Sequence, residues 1–206
     1  MWKIILVQHC QSEHHINEMT GGWTDTPLTS LGREQANLVG EKMIGLINSE
    51  EEYVLYSSDL LRASQTAEII AGHLNLEVNL DQGLREINTG IAAGKTKAWA
   101  KEHRNPKSKQ GFELNYREFE KGESWGEFYT RVSNCLTRLY QSEEGKNIII
   151  VTHGGTLGYI VAWWLKFEPE MLSNAYFASS PGGVTVLSQN NYGQQEINRF
   201  NDTSHL

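Results

Sequence analysis

At 206 residues the chain is long enough for one substantial core and short for two ordinary domains, so a single domain over 1–206 is expected. Its 39% hydrophobic and 21% charged residues fit a soluble globular protein, and a formal charge of −7 argues against nucleic acid or an anionic membrane as partner. The opening MWKIILVQHC is too short an apolar run for a membrane span and lacks the small-residue cleavage site of a signal peptide. The spacing of Cys10 and Cys135 asks for no disulfide, which points to a reduced, cytoplasmic protein; a homodimer is compatible with such a chain.

Ile4–Val7 is a continuous β-branched apolar run and predicts a buried strand. Thr29 then caps a helix whose apolar positions Ala36, Val39, Met43, Leu46 and Ile47 fall at helical spacing. Tyr53–Tyr56 predicts a second strand, and Arg62, Thr66, Ile69, Ile70 and Leu74 the helix after it. Trp125, Phe128, Val132, Leu136 and Leu139 mark another amphipathic helix, with Cys135 on its apolar side. Ile148–Val151 predicts a third strand, and Leu157, Ile160, Val161 and Trp164 its following helix. Val184–Leu187 and Glu196–Phe200 read as a closing hairpin turning at Asn190, Asn191 and Gly193. Short apolar strands alternating with amphipathic helices predict a three-layer α/β sandwich, a mostly parallel sheet with helices on both faces.

In that architecture ligands bind beyond the carboxyl ends of the strands. His9 follows the first strand, and His153-Gly154-Gly155 follows the third and opens a helix. Backbone N–H groups at a helix start favour an anion, and paired glycines let one approach closely.

Six segments in this order resemble the histidine phosphatase superfamily over nearly the whole chain: LVQHCQS, GGWTDTPLTSLGREQA, SSDLLRASQTA, LREINTG, GESWGEFYTRV and VTHGG. The resemblance implies a phosphorylated histidine at His9, a phosphate-binding Arg62, a general acid at Glu86 and a second histidine, His153. It also implies phosphate or substrate contacts from Gln8, Ser12, His15, Gly22 and Gly154, and neither metal nor cofactor. These residue types suit the chemistry. A neutral imidazole is a good nucleophile toward phosphorus, and a guanidinium fork matches two phosphoryl oxygens. A carboxylic acid can protonate the leaving alkoxide and then activate water.

The sequence departs from the family pattern in four places. Gln8 stands where the family carries an arginine, Cys10 where it carries a glycine and where a side chain is expected to crowd the loop, His15 at a phosphate-contacting asparagine of the mutases, and Gly158 where many relatives have an arginine. A protonated His15 would restore some of the charge missing at Gln8. A metal site on His9, Cys10, His14 and His15 is the competing reading of that cluster, whose spacing lacks the paired ligand turns of structural zinc. Three functions are in play: a phosphatase acting on a small phosphorylated metabolite, a phosphoglycerate mutase, and a non-catalytic binder of phosphorylated ligands. Only about three dozen residues separate Glu86 from Gly122, little material for the water-excluding lid of a mutase, so hydrolysis is preferred. Lys95, Lys97, Lys101, His103, Arg104, Lys107 and Lys109 form a basic stretch, either a lid meeting an anionic substrate or a solvated helix face.

Overall fold

The strand over Lys3–Gln8 (β1) is apolar from Ile4 to Val7 because both its faces are covered. Ile4 and Leu6 enter one core, Ile5 and Val7 the other. A computed structural model describes residues 3–108 and 110–206, so Lys109 of the basic stretch lies outside the described residues. After a single turn at Glu13–Ile16 (α1) come Ser30–Ile44 (α2), Tyr53–Ser57 (β2), Leu61–Leu74 (α3) and Val78–Leu80 (β3). Lys97–His103 (α4), Trp125–Ser142 (α5), Asn147–Thr152 (β4), Gly154–Trp164 (α6), Val184–Gln189 (β5) and Gln195–Asp202 (β6) complete the order.

The six strands are arranged β3-β2-β4-β1-β5-β6. The first four run parallel, β5 is antiparallel to β1, and β6 is antiparallel to β5. One core packs α5 and α6 against Ile4, Leu6, Ile148 and Ile150, and the other packs α2 and α3 against Ile5, Val7, Ile149 and Val151. The expected three-layer α/β sandwich is therefore what the chain forms. Among the described residues no helix is long and apolar enough to cross a membrane.

Local signals hold where they are chemical. Thr29 accepts from the Gly32 N–H, and Ser124 with Glu127 forms a reciprocal capping box at the start of α5. Helix α2 stops at Ile44, so Leu46 and Ile47 pack on the core from the turn after it rather than from the helix itself. Strand β3 has no counterpart in the hydrophobic pattern because it is three residues long and both Asn79 and Leu80 are exposed.

Candidate active site

β1 and β4 are neighbours with Gln8 opposite Thr152, so the next residue of each, His9 and His153, leaves the sheet side by side. The His9 N–H donates to the Thr152 carbonyl at 2.8 Å, and the two rings stand 5.1 Å apart, edge to face. His9 Nδ1 lies 2.8 Å from the Cys10 carbonyl. A carbonyl can only accept, so the proton sits on Nδ1 and the lone pair on Nε2. Arg62 Nε–H donates to that lone pair at 3.1 Å. Burial, and next the Arg62 charge, push the His9 pKa well below its ordinary value, and the same two causes act on His153. Both rings are thus neutral at neutral pH. Ser58 Oγ accepts the Leu60 N–H and lies 2.9 Å from His153 Nε2. The other ring nitrogen, His153 Nδ1, is a buried atom with no hydrogen-bond partner among the described residues.

Arg62, in the first turn of α3, is only 1% exposed. Besides His9 it donates to the carbonyls of Thr24 and Gly22 at 2.7 Å each. Three of its five N–H donors are therefore spent on holding the loop over 22–24 and the nucleophile in register. Gly22 has φ +58° and a Cβ there would lie 2.4 Å from Thr89 Cγ2, so no other residue fits. Burial lowers the Arg62 pKa to about 10, and the charges of Glu86 and Asp25 oppose that fall. The guanidinium stays charged and forms the cationic island that an acidic chain needs in order to receive phosphate.

Glu86 sits on a loop fixed from three sides. Arg131 of α5 donates to the carbonyls of Gly83, Arg85 and Glu86 at 3.0 Å each and forms a two-pronged ion pair with Glu123, which in turn accepts the Asn88 N–H. Trp23 Nε1–H donates to the Glu86 carbonyl at 2.8 Å, and Arg85 pairs bidentately with Asp59. The Glu86 carboxylate accepts its own following N–H from Ile87 on one oxygen and the Gly155 N–H on the other, each at 2.9 Å. Of the backbone donors expected to serve an anion at the start of α6, that of Gly155 is held by Glu86. A Cβ at Gly155 would stand 2.5 Å from Glu86 Oε1, which is why glycine follows glycine here. Sequence reasoning missed Arg131: the GESWGEFYTRV segment was recognised, but nothing local tells a carbonyl-clamping arginine from a solvated one.

The remaining expected contacts divide. Gln8 is buried, and its Oε1 accepts from Ser179 Oγ at 2.6 Å, which leaves its amide hydrogens to donate. Gly154 abuts it, since a Cβ there would lie 3.3 Å from Gln8 Oε1. Ser12, expected at the phosphate, is engaged locally: its hydroxyl with His14 Nδ1 at 2.8 Å and its N–H with His15 Nδ1 at 3.1 Å. That second bond runs against a charged His15: its Nδ1 accepts there, and burial, Arg62 and Lys97 all lower its pKa. A neutral His15 can offer one Nε2–H. Its ring stacks on His9 with centroids 5.5 Å apart.

Cys10 does not crowd the loop. It points into the core beside Val7 and Leu28, and burial drives its thiol up to about 12. This removes it from any metal cluster. One nitrogen from each of His9, His14 and His15 does converge within 4.8 Å of the others. The guanidinium against His9 Nε2 would repel a dication there.

The basic stretch is mostly a solvated surface. Lys97 pairs with Glu18 and Arg104 with Glu118, while Lys95 lies over Trp99 and Lys107 over Tyr116. None of these cations lines the cavity of about 490 Å³ that opens beside Glu86 and Gly155.

Residues 4–203 match the family model for the histidine phosphatase superfamily (branch 1). Among curated relatives, phosphoglycerate mutase-like protein 4 of Arabidopsis thaliana is 34% identical over 161 residues, 75% of this chain and 67% of that protein. The broad-specificity phosphatase YOR283W of Saccharomyces cerevisiae is 29% identical over 99% of this chain and 87% of its own. A solved mutant phosphoserine phosphatase from Entamoeba histolytica, in complex with phosphoserine, superposes with a TM-score of 0.77 at 29% identity, covering 100% of both chains. YhfR of Bacillus stearothermophilus gives 0.79 at 25% identity, covering 100% of this chain and 99% of that one.

Proposed function

Because the chain belongs to the histidine phosphatase superfamily, we propose that it hydrolyses phosphomonoesters of a small metabolite through a phosphohistidine on His9, without a metal ion. The observation that carries this reading is a lone pair on His9 Nε2 beside a second buried imidazole whose Nδ1 has no partner among the described residues. The two rings stand 5.1 Å apart, and Arg62 donates to the His9 lone pair.

The phosphate dianion takes donors from Arg62, His153 Nδ1, the Gln8 amide and His15 Nε2–H. Arg62 Nε–H turns from the His9 lone pair to a phosphoryl oxygen. His9 Nε2 then bonds to phosphorus while the ester P–O bond breaks, and the departing alkoxide takes a proton from Glu86. In the second half Glu86 accepts a proton from water, whose oxygen displaces His9 from phosphorus. Phosphate leaves and Nε2 regains its lone pair. Hydrolysis is favoured over mutase transfer because the segment between Glu86 and Gly122 is short, and a phosphatase relative aligns over almost the full chain. Two free, buried thiols, Cys10 and Cys135, support placement in a reducing cytoplasm.

The test is a burst of label from a phosphomonoester onto the protein, quenched in alkali because phosphohistidine is acid-labile, with EDTA present throughout. His9→Ala is expected to lose both label and turnover. Turnover that survives His9→Ala, or that needs added metal, would sink the mechanism. Isomerisation of 3-phosphoglycerate outpacing its hydrolysis would identify a mutase instead.

A further inference from the structure

The cavity beside Glu86 has a character that phosphate chemistry does not require. Its volume of about 490 Å³ lies within the range of pockets that enclose a small organic molecule, and a three-carbon acid such as glycerate would leave most of it empty. The walls are Phe112, Trp125, Phe128 and Leu172, with Tyr159 and Tyr176 completing the ring around Glu86. Phe128 and Tyr159 pack with centroids 4.7 Å apart and are buried, which makes the floor rigid. Tyr176 is 73% exposed and stands at the mouth. Among the described residues no lysine or arginine lines this space, and its one ionisable acid is Glu86. Among the described residues the Tyr159 hydroxyl makes no hydrogen bond, and burial and Glu86 both hold it in its neutral form.

A second anionic group on the substrate would here face a carboxylate and aromatic edges, with no lysine or arginine among the described residues to receive it. An apolar group would instead be taken out of water against five aromatic side chains. Building on the phosphatase reading, we propose that the substrate is the phosphomonoester of a bulky, uncharged, largely apolar alcohol, with the Tyr159 hydroxyl as its one neutral polar contact. The specificity-determining residues are Phe112, Trp125 and Tyr176, together with Tyr159. Phosphoesters of hydroxy acids, amino-acid alcohols and bisphosphates are poor substrates.

The test keeps the leaving group an alkoxide so that intrinsic reactivity does not decide the result. kcat/KM for 3-phenylpropyl phosphate should exceed that for n-propyl phosphate by about fiftyfold, the worth of burying one phenyl ring. The value for 3-phosphoglycerate should be lower still. Tyr176→Ala, at an exposed position where folding is not at stake, should lower the phenylpropyl value about fivefold and the n-propyl value by less than about twofold. Tyr176→Arg should raise 3-phosphoglycerate turnover while lowering that of the phenyl ester. Calorimetric binding of 4-phenylbutylphosphonate against methylphosphonate reads the same preference without turnover. Selective phosphonate binding with no hydrolysis of any ester would defeat the phosphatase reading and leave the apolar site standing. Equal binding of the two phosphonates, or a preference for 3-phosphoglycerate, would overturn the apolar substrate while leaving hydrolysis intact.

Discussion

Around His9 and Arg62 the side chains are polar, buried and tied to backbone carbonyls, whereas beyond Glu86 the walls are aromatic rings with a hydroxyl that meets no partner among the described residues. The first region is fixed by directional bonds, each of which determines a proton's position. The second is fixed by packing, which determines only volume and polarity. A site divided in this way holds its reacting group constant and leaves the rest of the substrate to be chosen by size. The halves meet at Gly155, whose N–H holds Glu86 and whose lack of a side chain leaves room for it. On this reading, changes on the phosphate side slow all esters alike, and changes on the Glu86 side sort them by leaving group.

The most damaging way to break that contrast is Arg62→Lys. A lysine cannot reach the Gly22 and Thr24 carbonyls and His9 at once, so kcat/KM should fall by about 10²–10³-fold on aryl and alkyl phosphates equally. A loss confined to one class, read from parallel initial rates, would contradict the division. Glu86→Gln should cost alkyl phosphates about 10²-fold and activated aryl phosphates less than about threefold, because an aryl oxide departs without a proton. Equal losses would take Glu86 out of the acid role.

Arg131→Ala reports on the loop rather than on the chemistry. Its guanidinium spans three carbonyls and Glu123, so its removal should reproduce the alkyl-selective pattern of Glu86→Gln at about tenfold, with kcat falling more than KM rises. Arg131→Lys should recover only a fraction, since one ammonium cannot span those acceptors. A uniform loss on both ester classes would mean a general structural role. The smallest effect is expected at His15. Its pKa is lowered and its Nδ1 accepts the Ser12 N–H, so it is neutral from mildly acid pH upward. His15→Asn should then change activity by less than about threefold, with no acid-shifted optimum in the pH profile. A decline in the wild type that tracks protonation near the ordinary histidine pKa and vanishes in the variant would restore the charged role.

The sheet was legible because its central strands β1 and β4 are runs of Ile, Leu and Val set between polar residues, and the helices because Thr29 and Ser124 announce their starts. The unread β3 has too little apolar surface for any pattern to reveal. For the site, His9, Arg62, Glu86 and His153 could be named from their segments, since each lies in a motif of fixed order. What could not be read was which partner each polar atom takes. His15 looked like a replacement charge until its Nδ1 was found opposite a neighbouring N–H, and Cys10 looked like an obstruction until its side chain was found in the core. The aromatic cavity was equally hidden. Phe112, Trp125, Tyr159, Leu172 and Tyr176 come from separate stretches, and each reads singly as core or surface.

The place of β1 in the sheet has a consequence for how the molecule is made. Its two neighbours, β4 and β5, both come from the last third of the chain, and Ile4 finds Ile148 across a separation of 144 positions. β1 is therefore without a partner until β4 has left the ribosome, with its apolar residues waiting for both cores. A chain cut before β4 would carry His9, Arg62 and Glu86 and could not hold its nucleophile, so catalytic competence arrives only once β4 has been made.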